Sequence, residues 1–229
     1  MPFSIAIDGP SAAGKSTVAK GVAKFLKFNY IDTGAMYRFL AYISIERYKE
    51  RLGDLVREKG TFEKFLEEEA KKMDFTFKDG IMYVNGKVVG DEIRNNEVSL
   101  FAAEIARFSS VREVLVFKQR NLALNYDVVM DGRDIGTYVL PHATLKIFLT
   151  AEVNIRAYRR YEELKKNGNK SLAFYKVKED LILRDKKDMT RKIAPLKKAP
   201  DAKVIDTSNK NIDEVISTIV KFFKERVKK

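Results

Sequence analysis

The chain has 229 residues, 45% of them hydrophobic, enough for one α/β domain with an insertion or for two small domains. It holds no cysteine, which excludes disulfides, thiolate metal sites and a cysteine nucleophile. A formal charge of +12, from 44 Lys and Arg against 32 Asp and Glu, favours polyanionic ligands, whether nucleotides, nucleic acid or a membrane surface. No apolar run is long enough to span a bilayer. The N-terminus enters a strand pattern at once and lacks a signal-peptide layout, so a cytoplasmic protein is expected.

The apolar run Phe3–Ile7 predicts a strand, and a helical pattern follows from Lys15 to Phe28. Between them, Gly9-Pro10-Ser11-Ala12-Ala13-Gly14-Lys15-Ser16 fits the phosphate-loop pattern G-x-x-x-x-G-K-S/T. Its glycines let backbone N–H groups close around a phosphate chain at the positive end of a helix. Lys15 can reach the outer phosphates and the Ser16 hydroxyl can hold Mg²⁺.

Asn29–Ile31 reads as a short strand ending at Asp32-Thr33-Gly34, with a helix from near Ala35 toward Leu52. Thr33 and Arg38 then sit where strand ends face a ligand crevice. From Thr61 the character changes. A charged amphipathic helix spans Thr61–Met73, and three short runs, Phe75–Phe77, Met82–Val84 and Lys87–Val89, are separated by Asp79-Gly80 and Asn85-Gly86. These turn dipeptides predict an antiparallel meander, an insert over the crevice. Glu92–Phe108 reads as helical with a break near Asn95-Asn96, and Val111–Leu124 as a helix carrying Arg112.

Asp127–Asp131 predicts a buried central strand with Asp131-Gly132-Arg133-Asp134 at its carboxyl end. Asp131 either orders waters around Mg²⁺ or caps the following turn, and Arg133 and Asp134 either serve the site or pair with each other. Thr144–Leu149 is the next strand. A helix over Ala151–Asn167, closed by Gly168, gathers Arg156, Arg159 and Arg160, either as a solvated basic face or with one or more of them touching the transferring phosphate. Ser171–Asp188 is helical, a basic loop runs to Pro200, and Lys203–Asp206 is the last strand. The final helix opens on Asn211-x-x-Glu214, a capping-box signal. His142 is a lone loop histidine with no expected role. Five strands alternating with helices predict a parallel sheet covered on both faces.

Four blocks together resemble bacterial cytidylate kinase: Asp8-Gly9-Pro10-Ser11 into the phosphate loop, Asp32-Thr33-Gly34-Ala35-Met36-Tyr37-Arg38, Asp131-Gly132-Arg133-Asp134-Ile135-Gly136-Thr137, and Arg184-x-x-x-Asp188-x-x-Arg191. They cover nearly the whole chain in the right order. The resemblance implies a P-loop kinase core at 1–60 and 97–229 with strand order 2-3-1-4-5, a monophosphate-binding insert at 61–96 and a lid at about 156–170. It implies transfer of the γ-phosphoryl group of ATP, with Mg²⁺, to CMP or dCMP. ATP would lie over Gly9, Pro10, Ser11, Ala12, Ala13, Gly14, Lys15, Ser16 and Thr17, with Mg²⁺ on Ser16 through waters. Thr33, Arg38, Arg133 and Arg191 would hold the acceptor phosphate, Arg112 and Asp134 would read the base, and Arg184 and Asp188 would hold the sugar. Lys15, Arg133, Arg191 and the lid residue Arg160 would screen the developing charge. Ala103 stands where the family often has a serine near the base amine, so discrimination against UMP is weaker or supplied by water. A monomer acting on small nucleotides is expected. Two other readings remain: a small P-loop kinase for UMP or a non-nucleotide hydroxyl, and a basic nucleotide-regulated RNA-binding module. The positive charge is spread along the chain rather than gathered in a stripe, which argues against nucleic acid.

Overall fold

A computed structural model of the chain describes residues 2–48, 59–78, 80–166 and 173–228. In order, β1 (Ser4–Asp8) leads to α1 (Lys15–Leu26), β2 (Asn29–Asp32) and α2 (Thr33–Tyr48). Then come α3 (Lys59–Lys72), β3 (Phe75–Lys78), β4 (Ile81–Val84), β5 (Lys87–Val88), a 3-10 turn (Asp91–Arg94) and α4 (Asn96–Ile105). The remainder is α5 (Ser109–Asn125), β6 (Val128–Gly132), a π-helical turn (Ile135–Val139), β7 (Leu145–Thr150), α6 (Val153–Lys166), α7 (Phe174–Thr190), β8 (Lys203–Asp206) and α8 (Ile212–Val227). The expected reach of α2 to Leu52, the turn residue Asp79, the helix end at Asn167-Gly168 and the helix start at Ser171 lie outside the described residues.

The parallel sheet has five strands in the order β2-β6-β1-β7-β8. Counted among themselves, these are strands 2-3-1-4-5, the order the resemblance implies. β1 is central, with Ile7 opposite Asp131 of β6 and opposite Ile147 of β7. Period-two alternation sorts its residues between two apolar layers. Ile5 and Ile7 join Leu145, Ile147 and Leu149 against α1 and α8. Ala6 joins Ile31, Met130 and Val116 on the other face. Burial on both faces is why β1 and β6 read as unbroken apolar runs.

The break in Glu92–Phe108 falls at Asn95, whose side chain accepts from the Val98 N–H and caps α4. At the opposite end of the chain, α8 carries the capping box, with Asn211 and Glu214 each accepting from the other's backbone. α2 begins at Thr33, two residues before the expected Ala35. The π-helical turn after Asp134 has no side-chain cap and no period that a sequence pattern announces.

The second sheet is antiparallel, β3-β4-β5, as the turn dipeptides predict. Asn85 and Gly86 both have positive φ, 50° and 76°, the conformation that selects Asn-Gly between short strands. Phe75, Met82 and Val84 do not form a core of their own. They share one apolar cluster with Met36 and Leu40 of α2, Phe62 and Leu66 of α3, and Ile105 and Leu115 of α4 and α5.

Candidate active site

The phosphate loop leaves β1 with two unusual backbone positions. Gly9 has φ 151°, and a Cβ there would stand 2.1 Å from the Leu149 carbonyl oxygen, so β7 packs directly on its backbone. Gly14, at φ 87°, opens α1 without any side-chain cap. The first amides of α1 therefore keep their donors for a ligand, unlike those of α4 and α8. Lys15 is 6% exposed and donates from Nζ to the Pro10 carbonyl at 2.7 Å. Burial, seconded by the Arg133 charge, lowers its pKa to about 7. The Ser16 hydroxyl donates to Asp131 Oδ2 and the Tyr30 hydroxyl to Oδ1, both at 2.8 Å. Burial and neighbouring Asp32 raise Asp131 to about 6. Asp131 thus lies beside Ser16, while its carbonyl accepts from Thr33 Oγ1 at 2.8 Å.

On the other side of the cleft the guanidinium groups converge. Arg38 donates to Asp32 at 2.9 Å, and its Nε is buried without an acceptor among the described residues. Burial would raise Asp32, but Arg38 and Arg94 outweigh it and hold it below its ordinary value. Arg133 pairs with Asp188 at 2.8 Å rather than with its neighbour Asp134. Burial, then the Arg133 charge, lowers Arg184 to about 10, and its Nε also lacks an acceptor among the described residues. Asp134 receives Arg112 on one oxygen and Arg191, at 3.0 Å, on the other. Arg112 is 1% exposed, with the rings of Tyr37 and Tyr138 at 5.8 and 5.7 Å. Ala103 and Ser99 of α4 line the same end. One cleft of about 820 Å³ connects the phosphate loop with Arg112 and Asp134, room for two nucleotide-sized ligands.

The three arginines of α6 part company. Arg160 lines the cleft and pairs with Glu163 at 2.9 Å. Arg159 donates to the hydroxyl and carbonyl of Thr207, whose Oγ1 lies 3.2 Å from the Ala13 carbonyl. Arg156 is buried behind the phosphate loop against Ser11 and Asp185, so a solvated basic face does not describe it. Arg159 and Arg160 remain in the cleft lining, as the reading of one or more phosphate contacts requires.

Sequence reasoning missed three residues. Tyr37 lines the cleft with a buried hydroxyl. Asp185 holds the Ser11 N–H at 2.9 Å. Its signal was an acid on the core stripe of α7, in line with Val177 and Leu181. Asp8, at the end of β1, accepts from the Ile135 and Gly136 amides at 2.8 and 2.7 Å. Burial raises Asp8 to about 7 against the pull of those two amides. It pins the turn carrying Asp134, and nothing in a local pattern links it to amides so distant in sequence. Among the described residues, no helix is long and apolar enough to cross a membrane.

The cytidylate kinase family model matches residues 5–225. A cytidylate kinase of Thermosipho melanesiensis is 44% identical over 228 residues, covering all of both chains. One from Halalkalibacterium halodurans is 47% identical over 226 residues, 98% of this chain and 99% of that protein. A solved structure of an uncharacterized protein from Eubacterium ventriosum shares the fold, with a TM-score of 0.52 at 13% identity over 97% of this chain and 98% of that one. With full-length relatives at this identity and a family model spanning nearly every residue, the chain belongs to the cytidylate kinase family.

Proposed function

We propose that the protein transfers the γ-phosphoryl group of ATP to CMP or dCMP, giving ADP and the pyrimidine nucleoside diphosphate. The observation that carries this reading is the single cleft with the phosphate loop at one end and the Arg112–Asp134 pair at the other. ATP is assigned to Gly9–Thr17. The acceptor phosphate is assigned to Thr33, Arg38, Arg133 and Arg191, since planar guanidinium groups suit a dianion. A carboxylate at Asp134 can accept from the cytosine N4 amine, whereas uracil presents an oxygen there. Arg112 donates to the other base edge, and Arg184 and Asp188 are assigned to the sugar.

Phosphoryl transfer depends on alignment and charge neutralisation more than on a base. Lys15, Arg133, Arg191 and Arg160 are the groups we assign to the developing charge. The monophosphate dianion is already nucleophilic. Mg²⁺ fits this site: among the described residues no three acids gather into a metal cage, but the Ser16 hydroxyl and the Asp131 carboxylate stand together beside the loop. That hard-oxygen pair suits a magnesium ion held mainly by phosphates and water. Held there by Ser16 and Asp131, such an ion would supply charge neutralisation.

Residues 61–96 are taken as the monophosphate-binding insert on a core of 1–60 and 97–229, with a lid at about 156–170, of which 167–170 lie outside the described residues. Arg94, at 4.0 Å from Asp32, brings the insert to the cleft. The protein is taken to act as a monomer on small nucleotides in the cytoplasm. A coupled ADP-release assay with ATP and Mg²⁺, offering CMP, dCMP, UMP and AMP in parallel, tests the reading. Release with CMP and dCMP alone is the expected result. Equal release with UMP would move base reading away from Asp134, and no release with any acceptor would overturn the assignment.

A further inference from the structure

Ser11 is gripped from three sides by side chains outside the phosphate loop. Its N–H donates to Asp185 Oδ1 at 2.9 Å. Its carbonyl accepts from Arg156 Nη1 at 3.0 Å, and its hydroxyl accepts from Arg133 Nη2 at 2.9 Å. Arg156 and Asp185 close the triangle with an ion pair whose side chains are only 10% and 7% exposed. Arg156 is itself fixed, donating from Nε to the Ala151 carbonyl at 2.9 Å. The loop is thus tied to the first turn of α6 and to the buried face of α7. The third tie, Arg133, donates through Nε to Asp188 on that same buried face.

A buried ion pair contributes little net stability against an apolar replacement, so its presence calls for another explanation than stability. And the backbone N–H groups of a phosphate loop ordinarily face the anion. Ser11 gives its own N–H to Asp185 instead, so the aim of the amides that follow is set from outside the loop. The same residue touches Arg133, the guanidinium at the boundary between the two ends of the cleft.

We propose that the Arg156–Asp185 pair is a positioning device for the phosphate loop, and that its grip on Ser11, shared with Arg133, makes the two nucleotides bind cooperatively. This rests on the assignment of donor and acceptor ends given above. Neither Arg156 nor Asp185 touches substrate. They act through Ser11, so that ordering of Arg133 by an acceptor phosphate is felt by the loop, and the reverse holds by linkage.

The test is calorimetric titration of a non-hydrolysable ATP analogue with and without CMP, alongside steady-state kinetics. In the unmodified protein CMP should tighten analogue binding by about tenfold, within the usual range of site-to-site coupling. Asp185→Asn keeps an acceptor for the Ser11 N–H but removes the charge facing Arg156. It should bring that ratio to about one and raise the KM for ATP by about fivefold or more, with a smaller change in kcat. Ser11→Ala leaves the buried pair intact and removes only the Arg133 contact. It keeps the proposal open to refutation should Asp185→Asn fold poorly, and it should bring the CMP-dependent tightening ratio to about one, whatever its affinity for the analogue alone. A tightening ratio equal to that of the unmodified protein in either folded variant overturns the proposal, as does lowered thermal stability with an unchanged KM. Failure of the unmodified protein to phosphorylate CMP would instead strike the acceptor assignment, independently of the coupling.

Discussion

Lys15, which we assign to the developing charge, has an unusual proton affinity. Its pKa of about 7 means that it is largely neutral at pH 8 before nucleotide arrives. Triphosphate oxygens favour the ammonium, so binding at pH 8 draws in a proton, and affinity falls as pH rises above 7. Calorimetry of ATP binding in two buffers of different ionisation enthalpy should show proton uptake at pH 8 and little at pH 6. Lys15→Ala should lower kcat on the order of a hundredfold. Asp134→Ala should narrow the CMP-over-UMP preference in kcat/KM by about tenfold or more, because buried polar readout gives large discrimination. That variant also strands buried Arg112, at about 3–5 kcal/mol. Asp134→Asn is the cleaner test, since its amide can donate to uracil O4 and should shift the ratio further toward UMP. The sequence exposed these residues because they lie in contiguous blocks. Asp8 and Asp185 escaped because each acts on a backbone amide far away in the chain, and only an acid standing on an apolar stripe hints at that.

Elements differ in what holds them. α8 buries Val215, Ile219, Val220 and Phe223, and each fully buried side chain of that kind contributes about 1.5–3 kcal/mol. Its capping box adds about 1 kcal/mol. Urea titration should therefore place Phe223→Ala about 3–5 kcal/mol below the unmodified protein, and Asn211→Ala only about 1 kcal/mol below it. The capping box and the Asn85-Gly86 turn were legible because their chemistry is local. The π-helical turn was not, because Asp8 enforces it from another strand. Nor could periodicity reveal Arg156 as buried, since a charged helix face looks the same whether water or Asp185 meets it.

At the scale of the molecule, the five-strand sheet followed from the β–α rhythm, whereas the strand order came only with the family resemblance. The shared core of α2–α5 with the small sheet was not visible, because apolar stripes do not say which partner they meet. A ligand that binds only the folded chain stabilises it, so ATP at about a hundred times its Kd should add about 2.7 kcal/mol, a rise of about 5–10 °C in Tm. Lys15→Ala should lose most of that shift in a thermal melt. The phosphate loop also carries a consequence for synthesis. β1 pairs only with strands made after residue 127, Gly9 rests on Leu149, and Ala13 meets Thr207. The loop leaves the ribosome well before the strands that form its walls. For ten seconds or more, at about 5–20 residues per second, the nascent chain carries a complete phosphate-binding sequence with no phosphate site.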